Sequence, residues 1–177
     1  MAGTNGIEAK LDEALVKKAP FQIPENAKKV IVEWIPWLNL VFGLFALWGA
    51  YSLWNWAHTV NQLANYVNSF AAYYGGSTVV KNHLTATVYV SLAVLAAEAV
   101  LYIAAFPGTR AKKKSGWNLM YYAVLLNAVY GLVLMFTDYG GVGNFIGYLI
   151  GTVIGLYILF QLRSHYMGGV SKATEKK

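Results

Sequence analysis

The chain has 177 residues, 57% of them hydrophobic and 12% charged, with a formal net charge of +6 and no cysteine. One domain of this length cannot hide so much apolar surface from water, so a bilayer is the economical home for it. The missing cysteines exclude disulfides and thiolate metal sites within the chain.

Residues 1–29 read as a cytoplasmic arm. The stretch IEAKLDEALVKKA, residues 7–19, sets Ile7, Leu11 and Leu15 on one stripe, with Glu8, Asp12 and Glu13 early and lysines late. That pattern fits an amphipathic helix and its dipole. Such a helix lies on the inner leaflet, docks to a partner or stays solvated. No apolar core of a secretory signal occurs in this arm. Pro24, in PFQIPENAKK, is placed to start the next helix.

Four stretches then reach the length needed to cross about 30 Å of hydrocarbon: residues 34–56, 84–106, 117–137 and 145–162. Helices are the only open-ended elements that satisfy their own backbone in lipid. The predicted fold class is therefore all-α, an integral membrane four-helix bundle over residues 30–163. Pro36 falls in the first turn of the first span, and Pro107 with Gly108 should end the second. Trp34, Trp37, Trp54, Trp56, Phe106, Trp117, Tyr139 and Tyr166 crowd the span ends, where aromatic rings favour the headgroup level.

Between the first two spans, Val60, Leu63, Val67, Phe70 and Tyr74 recur at spacings of three and four, while Asn61, Asn65 and Asn68 face elsewhere. This predicts an outer helix over residues 59–74, ended by Gly75-Gly76, which lies along the membrane surface or caps the bundle. Its asparagines and tyrosines are candidates for recognition.

Thirteen of the 14 basic residues fall on one side of this topology. Five lie in the arm, four (Arg110, Lys112, Lys113, Lys114) between the second and third spans, and four after the fourth. Only Lys81 lies elsewhere. The positive-inside rule then puts both termini in the cytoplasm, with residues 164–177 as a basic tail. It also leaves no basic face for nucleic acid. The four basic residues of PGTRAKKKSG are placed to attract anionic lipid headgroups.

Glu98 is the acid within a span, where it must pair, protonate or face water. Thr87, Ser91, Glu98 and Tyr102 form one polar stripe, and Asn127 in the third span reaches similar depth. Two readings compete: Glu98 exchanges a proton or binds a cation, or it is hydrogen-bonded and fixes the packing. His58, His83 and Asp138 cluster near the outer ends, as metal ligands or as interfacial and capping residues. No cofactor is implied, and phosphate-cradling, zinc-protease and nucleophile-elbow signatures are absent. The two halves do not repeat, so a dual-repeat transporter is not supported.

The fourth span, GNFIGYLIGTVIG, carries Gly143, Gly147, Gly151 and Gly155 on one face. Each costs roughly 1 kcal/mol relative to alanine. In lipid such residues return that cost by close helix approach. The third span offers Ala123, Asn127 and Gly131 at the same interval, which predicts packing within one chain in preference to a homo-oligomer. The function expected is a non-enzymatic scaffold or accessory subunit with a membrane-protein partner. The alternative is a small proton- or cation-linked transporter or channel using Glu98.

Overall fold

The structure, a computed structural model, describes residues 6–77, 80–81, 84–137 and 141–167, the side chains of Ile7, Val142 and Asn144 excepted. The candidate ligands His83 and Asp138, the interfacial Tyr139 and residues 168–177 of the tail lie outside the described residues. Every regular element among the described residues is helical. α1 is Gly6–Asp12, continued by a π-helical turn, Glu13–Lys17. α2 is Glu25–Tyr73, α3 Ala86–Arg110, α4 Lys114–Leu134, α5 Val142–Gln161 and α6 Arg163–Met167. α2, α3 and α4 are long and apolar enough to cross a membrane, while the apolar stretch of α5, Phe145–Gln161, is shorter.

α2 departs most from expectation. The first span and the outer helix are one helix of 49 residues, about 74 Å long at 1.5 Å per residue. The reason lies in its composition. Ala50 to Tyr73 contains neither glycine nor proline, the residues at which helices bend sharply or stop. Pro24 does start this helix, as its N-cap residue. Pro36 therefore sits in the interior instead of the first turn, and its missing N–H leaves the Val32 carbonyl without an intrahelical donor. Gly75 ends α2 as expected. At φ 75° it turns the chain left-handed, so that Gly76 N–H donates to Ala71 O at 2.8 Å and Gly75 N–H to Ala72 O at 3.0 Å. Further on, Val80 lies against α2, where Asn68 holds both of its backbone groups (2.8 and 2.9 Å).

Pro107 and Gly108 do not stop α3, which runs on to Arg110. Thr109 Oγ1 donates to the Ala105 carbonyl there at 2.8 Å and accepts a bond from Asn39 Nδ2 at 3.2 Å, tying α3 to α2. Lys112 takes the left-handed turn position at φ 50°, and Lys113 N–H closes it on Gly108 O at 2.8 Å. α4 then begins hard against the end of α3. A Cβ on Gly108 would lie 2.6 Å from Gly116 N, and one on Gly116 would strike the Thr109 and Gly108 backbone. α2 and α3 approach closely at Gly43, where a Cβ would lie 2.7 Å from Ile103 Cγ1.

The core gathers where the starts of α2 and α4 meet the ends of α3 and α5. Val32, Ile35, Ala105, Trp117, Met120, Tyr121, Leu159, Phe160, Leu162 and Tyr166 form one buried cluster. The N-terminal arm closes over it, docking on its own chain where a leaflet, a partner or solvent was expected. Leu11, Leu15 and Val16 pack against the cluster. Arg163 holds Glu8 at 3.0 Å and Asp12 at 3.5 Å with its guanidinium over the Trp117 and Phe160 rings (5.3 and 5.7 Å). Gln161 Nε2 donates to Leu15 O at 3.0 Å, and Tyr157 OH to Phe21 O.

Candidate functional site

The polar stripe of α3 meets α4 largely as the spacing predicts. Asn127 Nδ2 donates to Glu98 Oε1 at 2.7 Å, and Glu98 is 7% exposed. Two helical turns nearer the start of α3, Ser91 Oγ donates to the Thr87 carbonyl at 2.7 Å and accepts from Tyr130 OH at 2.6 Å. Tyr102 packs its ring on Phe42, 5.8 Å between centroids. The stripe thus faces neighbouring helices, and its two central members, Ser91 and Glu98, are bonded across the α3–α4 seam. Tyr130 is the residue sequence reasoning missed. It lies three residues past Asn127, on the same face of α4, which was the available signal.

The glycine face behaves otherwise. Gly155 does meet α4, with Val124 Cγ2 3.4 Å from a Cβ built on it. Gly131 also makes a close contact, but its partner is the Tyr148 side chain, whose Cβ lies 2.5 Å from such an atom. Ala123 is fully buried. By contrast, a Cβ on Gly143, Gly147 or Gly151 would meet nothing within 4 Å. The expected meeting of Gly147 and Gly151 with α4 is therefore corrected. The physical reason is the ring of Tyr148. It fills the notch at Gly131 and stacks edge-on to Tyr130 at 5.9 Å, so that Tyr148, and not Gly147, meets α4.

What this leaves is a groove. Asn127, Gly143, Gly147, Tyr148 and Gly151 line a hollow of about 340 Å³. A second hollow of about 240 Å³ continues it toward the end of α5, between Tyr102, Val124, Asn127, Gly151, Thr152 and Gly155. Thr152 Oγ1 is buried in that wall and has no hydrogen-bond partner. Asn127 lines both hollows and holds Glu98, which itself lines neither. Chemically, the groove is a small-residue channel along a helix with a few uncharged polar atoms at mid-depth.

The remaining candidates are more scattered. Arg110, Lys112, Lys113 and Lys114 are exposed on the α3–α4 turn, with Arg110 6.0 Å from the Phe106 ring centroid. His58 stacks on Trp54 at 5.6 Å. Its companions His83 and Asp138 are outside the described residues, and among the described residues no group of three His, Cys, Asp or Glu side chains could hold a metal ion. No protein-family model matches the chain, and neither a curated protein nor a solved structure matches it.

Proposed function

We propose that the chain is a multi-pass membrane protein, a four-helix bundle of α2 to α5 with both termini in the cytoplasm, and that it serves as a non-enzymatic accessory or scaffold subunit. Its working surface is the glycine groove of α5, which receives a helix of a partner membrane protein. The observation that carries this is the empty space at Gly143, Gly147 and Gly151. Three glycines destabilise α5 by about 3 kcal/mol in total relative to alanine, and among the described residues no contact at these positions offsets that. A close-packed helix from another chain would, through van der Waals contact and a partner for the Thr152 hydroxyl.

The test is a pair of substitutions, Gly147→Leu and Gly151→Leu, in protein extracted with its native lipid. Thermal melting should be unchanged or raised, because the new side chains enter open space, while the particle mass falls as the partner is lost. An unchanged mass would reject the groove as a docking surface. A lowered melting temperature would show that these glycines pack within the chain after all.

One observation favours a second reading. Asn127 both binds Glu98 and lines the groove, so a proton or cation entering there would lie one side chain from the acid. Flux of protons or cations into liposomes that is lost in Glu98→Gln would replace the scaffold reading with a transporter.

A further inference from the structure

We infer that two copies of this chain pair in parallel along α2, through an uncharged aromatic seam that runs from the membrane into the outer space. The inference rests on the membrane-spanning reading and is independent of the glycine groove. α2 buries one side against its own chain, at Asn39, Gly43, Ala46, Ala57 and Ala64. On the opposite side Phe45, Trp48, Trp56, Leu63, Tyr66, Phe70 and Tyr73 fall on one helical stripe, and all are exposed. Lipid covers the lower part of that stripe. With residues 34–56 in hydrocarbon, residues 57–73 project about 25 Å beyond it. No glycine or proline allows this projection to fold down onto the headgroups. Leu63, Tyr66, Phe70 and Tyr73 then stand in water, an apolar patch that marks an interaction surface.

The occupant follows from charge, symmetry and area. Trp34 to Val80 contains no Asp, Glu, Lys or Arg. Two copies inserted the same way are related by an axis along the membrane normal, so their α2 helices run parallel and each residue faces its own counterpart. A charged residue on such a seam would meet a like charge, and this one has none. Phe45 is 60% exposed, Trp48 65%, Trp56 47%, Tyr66 75%, Phe70 67% and Tyr73 84%. At about 200 Å² per aromatic side chain they present roughly 800 Å² per copy, the share each partner contributes to a standard-sized interface. Gln62, Asn65 and Ser69 lie beside the seam around a hollow of about 330 Å³ and supply its polar rim.

The experiment uses the absence of native cysteine. Single cysteines are placed in the full chain, in native membranes, at 63, 66, 70 and 73 on the seam and at 57, 64 and 68 on the side packed against its own chain. Oxidation should give crosslinked dimer at the first set and none at the second, and Leu63→Lys with Phe70→Lys should abolish the dimer. Gly151→Leu should leave the crosslinks intact. A membrane-impermeant maleimide is applied in parallel. Cysteines at 66 and 70 that react with it from outside but never crosslink would overturn the pairing and keep the membrane reading. Cysteines that neither react nor crosslink would overturn both. Crosslinks without the helical pattern, or undiminished by the two lysines, would also overturn the seam.

Discussion

The Asn127–Glu98 pair allows the structural role of the buried acid to be measured. Asn127→Leu removes the amide that donates to Glu98 Oε1 at 2.7 Å, leaving a carboxyl that is 7% exposed without that donor. A buried polar group deprived of its partner costs about 1–3 kcal/mol. Glu98→Leu leaves the amide unmet and should cost a similar amount, less whatever the added apolar contact returns. The double replacement removes both needs and should destabilise far less than the two singles together. The coupling expected is about 1 kcal/mol, within the roughly 0.6–1.7 kcal/mol found for hydrogen bonds between membrane helices. Unfolding of the four variants in mixed micelles, followed by loss of helix on denaturant titration, closes the cycle. Additive singles would refute the argument, since they would mean that the bond between α3 and α4 contributes nothing to holding them together.

Other expectations follow from individual contacts. Gly116→Ala places a Cβ against the Thr109 and Gly108 backbone, which cannot yield as a side chain would. It should destabilise by about 1–3 kcal/mol, read as a lowered melting temperature, whereas Gly147→Ala should not. Lys112→Gly relieves a left-handed lysine at φ 50° and should stabilise by about 1 kcal/mol, measured in the same melt. The Tyr166 hydroxyl is buried without a partner, and burial pushes its pKa up to about 12. A phenol held neutral in this way contributes stability that is full below about pH 10 and lost as pH rises from there through about 12. Tyr166→Phe should therefore raise stability by about 1 kcal/mol near neutrality and reduce the loss between pH 10 and 12, seen by melting across that range.

Much of this architecture could be read from residue types because lipid imposes few solutions. Apolar runs gave the helices, Pro24 the start of α2, Gly75 its end, and the polar groups of α3 at spacings of four and seven the meeting of Glu98 with Asn127. The failures have physical causes. The first span and the outer helix were expected as separate elements, but a change from apolar to polar residues does not break a helix that has no glycine or proline at the junction. Pro107 suggested a stop, yet the helix runs three residues past it, with Thr109 capping the Ala105 carbonyl. The rotation of α5 was hidden because it depends on where the Tyr148 ring rests, and a stripe of glycines shows only that a helix has a smooth face, not what lies against it. The docking of α1 was likewise hidden, since Arg163 and its partners Glu8 and Asp12 are about 150 residues apart.

The proposed topology has lipid around α2 to α5, with the basic turn and Lys81 on opposite sides of it. Single cysteines at Ser115 and Lys81, probed in intact cells with an impermeant thiol reagent, test that arrangement most directly. The account expects the cysteine at 81 to be labelled at once and the one at 115 only after the membrane is opened. Equal labelling of both without permeabilisation, or the reverse order, would contradict it.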